Sequence, residues 1–571
     1  MTKTKYRFAL TGMIFSLLVA FSANAFAQAK TYNEEITVVA PFDPIIPDAF
    51  KISHNPAIND SISSVPVMSY SIAPRVADVK PVIEQLPAVK LVAEPLTKLY
   101  RNYARAGVGN YTSLYGELFI SSLRSKQYLA SLHLKHQSAA GKFDGYGSPV
   151  NSRNEAELSG TKYYSQHTLT GKAFYYRDGL HLYGFKQSEF GDTIKKDDIR
   201  QRYFTAGGEA NFSSNYKSDD KLNHAFALSY YHIAGLDGNK ENNIRFSTTL
   251  DKQVDLFNID TKQVVGLTGG YEFLNQQDSL GHFNTNLVLI NPFIKAQINE
   301  YSLMAGFKMN ISADSVTKAH LYPVAEARLE LLPGALKVFA GIGGGMERTS
   351  LRGISGQNAY ISSVMPWNYV FDKFRVYGGV QSNINRSLNF NAMVSNSTYE
   401  NYPFFVTDTN AFLRNSFSLV FDDISVTKIK AELEFVKSAR LRLSVGGSYN
   451  HYKLGNQRYA WYKPEYEFDF SARYSLQNKI VITLKTTVNG AVWALKPSPG
   501  IILHEGDKAN FTMEPEKISG WVDASLGAEY RFNKSLSFWL NFNNLTNNTY
   551  FHWLNYRSYG LNVLGGVSYS F

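Results

Sequence analysis

The stretch Lys428-Ile429-Lys430-Ala431-Glu432-Leu433-Glu434-Phe435 decides the fold. Apolar and charged side chains alternate strictly through it. A period of two puts successive side chains on opposite faces of an extended chain, so this is a strand with one greasy and one polar face. The pattern recurs. Leu536, Phe538, Leu540 and Phe542 alternate with Ser535, Ser537, Asn541 and Asn543, with Trp539 the one exception. Leu388, Phe390, Ala392 and Val394 alternate with Asn389 and Asn391, and Leu441, Leu443 and Val445 with Arg442, Ser444 and Gly446. From Tyr100 to the end the texture does not change.

Composition narrows what such strands build. The chain has 571 residues, 41 glycines and no cysteine, is 14% aromatic and only 19% charged. The missing cysteine excludes a disulfide scaffold, a thiolate metal site and a thiol nucleophile. A soluble sandwich would need one sheet system larger than a single core normally reaches. A membrane barrel has no such limit, because lipid covers its apolar face. Turns also alternate with long connections. Tight turns fall at Leu332–Ala335, Gln477–Lys479 and Asn533–Lys534, and long connections at Thr349–Lys373, Ser397–Asn415, Gly455–Tyr466 and Ala491–Ile518. Short turns at one rim and long loops at the other are the barrel's signature. At about 21 residues per strand and connection, the predicted fold is an all-β, transmembrane antiparallel barrel of about 22 strands.

The N-terminal end is different. Lys3, Lys5 and Arg7 precede the apolar run Met13–Phe21, and small residues follow at Ala23, Ala25 and Ala27. This is the pattern of a secretory signal peptide, with cleavage expected after Ala27. Residues 28–98 then hold nine of the 19 prolines (Pro41, Pro44, Pro47, Pro56, Pro66, Pro74, Pro81, Pro87 and Pro95). Proline donates no ladder hydrogen bond and disfavours helix before it, so this segment is expected to be extended. The domain reading is a signal peptide at 1–27, a proline-rich arm at 28–98 and a barrel at 99–571. The net charge of +10 comes from scattered Lys and Arg in an exported chain, which excludes nucleic acid as a partner.

The C-terminal residues carry a resemblance. Leu561, Val563, Val567, Tyr569 and Phe571 occupy alternate positions, with Gly565 between. A terminal aromatic closing an alternating strand resembles the signal by which the barrel-assembly machinery recognises bacterial outer-membrane proteins. Val522–Phe532, then Phe542-Asn543-Asn544-Leu545-Thr546-Asn547-Asn548-Thr549-Tyr550, then Leu561–Phe571 resemble in that order the last three strands of TonB-dependent receptors. Glu34, Glu35, Ile36, Thr37, Val38, Val39 and Ala40 resemble the TonB box, the segment that in that family pairs with TonB by β-addition. The arm is shorter than that family's globular plug and lacks its arginine-glycine motif, so the resemblance is to a relative without the plug, or to a receptor-like barrel whose lumen the arm and folded loops fill, with Leu99–Tyr111 opening the barrel. It implies the outer membrane of a Gram-negative bacterium, contact with its lipid, uptake of a small solute, and TonB or another periplasmic envelope protein as partner.

Other candidate chemistry is thin. His133 and His136 are an odd number apart on a strand and so point to opposite faces, which defeats a two-histidine metal site. Gly341-Ile342-Gly343-Gly344-Gly345-Met346 continues the alternating strand Leu336, Val338, Ala340, Ile342, and its glycines suit a bend in a barrel wall better than a phosphate loop. No nucleophile elbow or Walker pattern occurs. Neither an enzyme, a metal nor a cofactor is expected. The binding candidates are loop aromatics, namely Tyr360, Trp367, Tyr369, Tyr399, Tyr402, Trp461 and Trp553. Such residues serve either as girdles at the membrane boundary or as ligand-stacking faces beyond it. Three functions remain open at this point. They are receptor-like uptake, a passive open channel, and a structural or assembly barrel that docks another envelope protein through its arm.

Overall fold

The computed structural model describes residues 102–571 other than 123–124, 191–193, 217–219, 258–260, 262, 315, 386, 439 and 498–512. The signal-peptide pattern at 1–27 and the whole proline-rich arm at 28–98, with its Glu34–Ala40 box, lie outside the described residues.

The strands are long, alternating and sequential. The first are β1 (Tyr103–Gly109), β2 (Ser113–Ser121), β3 (Tyr128–Ala140), β4 (Val150–Tyr163), β5 (His167–His181) and β6 (Arg200–Ser214). Next come β7 (Asn223–Gly235), β8 (Lys240–Val254), β9 (Gln263–Asp278), β10 (Gly281–Ile298), β11 (Tyr301–Ala313) and β12 (Thr317–Leu332). β13 (Leu336–Arg348), β14 (Tyr369–Asn385), β15 (Leu388–Thr407), β16 (Phe417–Lys437), β17 (Leu441–Leu454), β18 (Tyr466–Leu476) and β19 (Ile480–Asn489) follow. A small hairpin, β20 (Val492–Pro497) with β21 (Met513–Ile518), precedes β22 (Trp521–Arg531) and β23 (Leu536–Asn543). A second small hairpin, β24 (Phe551–Trp553) with β25 (Tyr556–Arg557), precedes β26 (Asn562–Ser570).

Leaving out those two hairpins, each strand pairs antiparallel with the next, and β26 pairs with β1 to close a 22-stranded barrel. The predicted architecture and strand number are observed. Alternation sets the two faces. Leu228, Phe246, Val376, Val394, Ile429, Leu433 and Val445 are exposed on the outside. Between the outward Ile429 and Leu433, the ion pair of Lys430 with Glu432 (2.6 Å) lies inside. This is the lipid-out, polar-in arrangement of an outer-membrane barrel.

Following the meander fixes the rims. β1 begins and β26 ends at one rim, whose connections, such as 164–166, 299–300, 333–335 and 532–535, are short. Connections 141–149, 182–199, 349–368, 408–416, 455–465, 490–520 and 544–561 all fall on the opposite rim. The terminal rim with short turns is the periplasmic one, and the other faces outward.

Several expected boundaries shift. The connection placed at Ser397–Asn415 is mostly strand, because β15 and β16 run for 20 and 21 residues. About ten residues cross the membrane, so this hairpin stands well above it. A bulge between Tyr399 and Tyr402, with Asn401 at φ 57°, bends it. Beyond the bulge Phe404, Phe405 and Val406 are 0%, 4% and 7% exposed. Consecutive burial means that both faces of the strand are covered there, which a lipid-facing wall does not allow. Similarly, Lys373 belongs to β14 and the connection before it ends at Asn368. In the glycine run, the pairing of β13 with β14 bulges between Gly343 and Gly345. A Cβ on Gly344 would sit 2.7 Å from the Asp372 carbonyl oxygen, so the glycine permits the bend.

The seam is built from small residues. Ala106, Gly107 and Gly109 of β1 face Val567, Gly566 and Leu564 of β26. Asn102 and Phe571 exchange backbone hydrogen bonds at 3.2 and 3.0 Å at its periplasmic end. Val567, Tyr569 and Phe571 of the expected insertion signal point outward and are exposed. Trp539, the break in the alternation, turns inward, and Arg105 stacks on it at 4.1 Å. A Cβ on Gly566 would collide with the Ala106 carbonyl oxygen. Gly566→Val is therefore expected to lower barrel stability by about 1–3 kcal/mol. Heat-modifiable gel migration across a urea titration checks this, with Ser568→Val, which already carries a side chain at the seam, as the control. An unchanged midpoint would contradict it.

Candidate functional site

The main hydrophobic core of the molecule is not in the wall. It lies in the outward-facing loops and the strand ends beneath them. Connection 349–368 is the strap around which the others pack. Ser350 caps the helix α2 (Leu351–Gln357), α1 being the short turn Gln187–Phe190 in connection 182–199. At the helix N-terminus Glu241 of β8, fully buried, accepts from the Leu351 amide at 2.5 Å, from Gln276 Nε2 at 2.9 Å and from the Tyr231 hydroxyl at 2.8 Å. A carboxylate suits this place because the first helical amides have no partner within the helix. The next residue, Arg352, lays its guanidinium over Tyr231 at 4.6 Å and Phe174 at 5.2 Å.

The strap then joins its neighbours. Ser362 donates its hydroxyl to Asp408 (2.6 Å), its amide to the Phe417 carbonyl (2.9 Å), and accepts at its carbonyl from Asn239 (3.3 Å). Tyr360 stacks on Tyr556 at 3.7 Å, and Tyr183 meets Tyr556 edge-on at 4.9 Å. Tyr183 donates to the Arg557 carbonyl (2.8 Å), Tyr556 donates to the Asn415 carbonyl, and Asn415 donates to the Leu182 carbonyl (2.5 Å). Leu182 follows β5 and Asn415 precedes β16, some ten strands apart around a ring of 22. That bond therefore spans the mouth. Asp422 fixes the 455–465 loop by accepting from the amides of Gly455, Asn456 and Gln457 at 3.1, 2.8 and 3.0 Å. Together these loops form a cap.

Most of the aromatics named from the sequence are the substance of that cap. Trp461 is 2% exposed and donates to Gln457 at 2.8 Å. Trp553 packs among Phe405 (5.1 Å), Phe417 (5.3 Å) and Tyr462 (4.7 Å). Tyr399 and Tyr402, on β15 rather than in a loop, pack on one another at 5.2 Å. Trp367 is packed against the same core. Tyr369, at the start of β14, stands apart and donates to Asp314 at 3.2 Å. Of the set, Tyr360 and Trp553 also line the cavity beneath.

That cavity, about 1020 Å³, lies between the underside of the cap and the inner wall. Its lining mixes Arg153, Asp178, Arg352, Glu467 and Arg557 with Tyr176, Tyr203, Trp521 and Tyr556. Next to it, Trp521 stacks on Tyr550 at 4.5 Å, His552 meets both edge-on, and Tyr550 donates to Asp523 at 2.6 Å. Sequence reasoning missed the wall residues Arg153, Asp178, Glu467 and Asp523, since each is an isolated polar residue in an alternating strand. The inward parity shared by Trp521 and Asp523 was the available signal. Such a chamber, with flat faces and both signs of charge, suits an amphipathic solute. Lower in the wall, His133 bonds Glu117 at 2.9 Å on the inner face, while His136 bonds Asn154 at 2.8 Å from the opposite face.

Burial lowers the pKa of His552 below its ordinary 6.5, with Asp523 opposing the shift, and also lowers that of Lys463. A histidine depressed in the folded state contributes stability that is complete above pH 6.5 and is lost as pH falls through the folded value. The cap should loosen as pH falls below 6.5, read as protease sensitivity of the loops, and His552→Gln should flatten that dependence. Separately, Trp461→Ala should cost the cap about 3–5 kcal/mol and expose its loops to protease while heat-modifiable migration persists. Loss of the whole barrel instead would show that cap and wall are one cooperative unit.

No protein-family model and no curated protein sequence matches the chain. Solved structures do. The ferric-catecholate import receptor Fiu of E. coli K12 aligns at TM-score 0.58 and 12% identity, over 83% of this chain and 82% of that one. FpvA of P. aeruginosa, bound to pyoverdines, aligns at TM-score 0.60 and 11% identity, over 83% and 72%. The siderophore receptor PirA of Acinetobacter baumannii aligns at 0.58 and 10%, over 82% and 80%. The fold is that of outer-membrane receptor barrels.

Proposed function

We propose that this barrel takes up a small solute across the outer membrane, with the cap as its outer gate and the chamber beneath as the holding site. The observation that carries this reading is the set of bonds across the mouth, above all Asn415 to Leu182. A passive pore needs an unobstructed mouth, and loops cross-braced by a buried aromatic core argue against one. The barrel's likeness to siderophore import receptors makes ferric siderophores the first solutes to test. Glu34–Ala40 is the proposed energy-coupling segment, pairing with TonB or another periplasmic protein by β-addition.

Two experiments follow. The chain has no cysteine, so Ser362→Cys with Asp408→Cys, whose side chains touch at 2.6 Å, makes a single reversible staple between the strap and its neighbour. Oxidation should stop uptake of a radiolabelled ferric catecholate by cells, and reduction should restore it. Uptake that ignores the staple would remove the gate from the account. Deleting residues 34–40 should abolish uptake and leave the barrel in the membrane. Normal uptake would show that no energy is coupled through that segment.

A further inference from the structure

His167, Ser214 and His224 stand in one row across three neighbouring strands. Ser214 pairs with His167, and the adjoining pair Ser213 with Ala225 sets it opposite His224. The row shares its face with Leu169, Phe226 and Leu228, which are exposed on the outside of the barrel. It lies at the first residue of β5, the last of β6 and the second of β7, so at the periplasmic boundary of the membrane. Because serine is small, the two imidazoles lean together over it to 5.3 Å between centroids.

The cluster is amphipathic along the membrane normal. At its watery end the Tyr216 hydroxyl meets His167 Nε2 at 3.3 Å, and Lys221 lies over the Tyr216 ring at 4.9 Å. Lys162, opposite Leu169 on β4, is a further exposed cation on the same face, and Asp220 is the acidic neighbour in the turn. Toward the membrane interior, Phe212 stacks on His167 at 5.0 Å, and Phe226 stacks on Phe246 at 6.4 Å. His224 Nδ1 is 3.4 Å from the Leu222 carbonyl. Among the described residues, His167 Nδ1 and His224 Nε2 have no hydrogen-bond partner. Polar nitrogens at a lipid-facing wall need a partner, and Lys221, which lies over the Tyr216 ring and bonds Gln166 at 3.4 Å, with Lys162 on the same face, favours an anion over a metal cation.

We propose that this cluster binds the headgroup of an anionic phospholipid of the periplasmic leaflet. The phosphate lies against His167, His224, Tyr216 and Lys221, and an acyl chain runs along Phe226 and Phe246. The site faces lipid, not the lumen, and so is independent of transport.

The test is native mass spectrometry of the full-length protein released from vesicles of phosphatidylcholine with about a quarter phosphatidylglycerol. The wild type should retain phosphatidylglycerol in preference to phosphatidylcholine. His167→Ala with His224→Ala should reduce that retention, and Lys221→Glu, in an exposed turn, should reduce it about fivefold or more. Heat-modifiable migration verifies folding, and Lys221→Glu alone decides the matter if the double variant misfolds. Equal retention by wild type and Lys221→Glu would overturn the proposal. So would displacement of phosphatidylglycerol by inorganic phosphate, which would make this a site for the free ion.

Discussion

Hydrocarbon offers a peptide group nothing to bond with, and each unpaired backbone amide or carbonyl there costs several kcal/mol. Everything else in this protein is arranged around that constraint. It requires the sheet to close, and closure rests on the seam between β1 and β26, where small residues let two backbones approach. The lumen wall can then be polar, because the ladder is satisfied within the barrel and the charges pair across neighbouring strands. Carboxylates recur there beside tyrosine hydroxyls, as in Tyr103 and Tyr115 on Glu117 or Tyr377 on Glu326.

A closed wall leaves apolar side chains that face neither lipid nor a conventional interior. The cap is where they go. The tall β15–β16 hairpin brings Phe404, Phe405 and Phe417 above the membrane, and the strap and the β24–β25 hairpin cover them. The molecule thus has two ways of hiding apolar surface, lipid outside the wall and protein within the cap. The functional reading follows from their separation. The wall is held by its continuous ladder, and the cap is joined to it at anchors such as Glu241 and Asp422.

Much of the wall was legible in the sequence. Alternation at Lys428–Phe435 and Leu536–Asn543 is local, since a strand's two faces follow from consecutive residues, and the strand count follows from spacing. The inward turn of Trp539 was visible as an exception. The cap was not legible. Tyr399, Tyr402 and Trp461 were recognisable as aromatics at or beyond the membrane boundary, but the partners that knit the cap together, such as Tyr556 for Tyr360, lie far away in the sequence. Period-two alternation also fails there, because Phe404 and Phe405 are both buried, and a strand covered on both faces has no periodicity to read. Glu241 shows the same limit. It begins an ordinary strand in sequence, and only the fold brings a helix end onto it.

The stack of Tyr183, Tyr360 and Tyr556 has a consequence for assembly. Tyr183 and Arg557 are 374 residues apart in sequence, and Asn415 and Leu182 are 233 apart. Around the ring, however, the loop carrying Tyr556 and the one carrying Tyr183 are brought near each other by the joining of the last strand to the first. Contacts of such high order form late, because loop-closure entropy must be overcome before they give any return. A copy whose ring has just closed therefore has its mouth uncovered until these contacts form. The aromatic stack sets only after the ring is whole, so protection of those loops reports that the cap has closed over a finished wall.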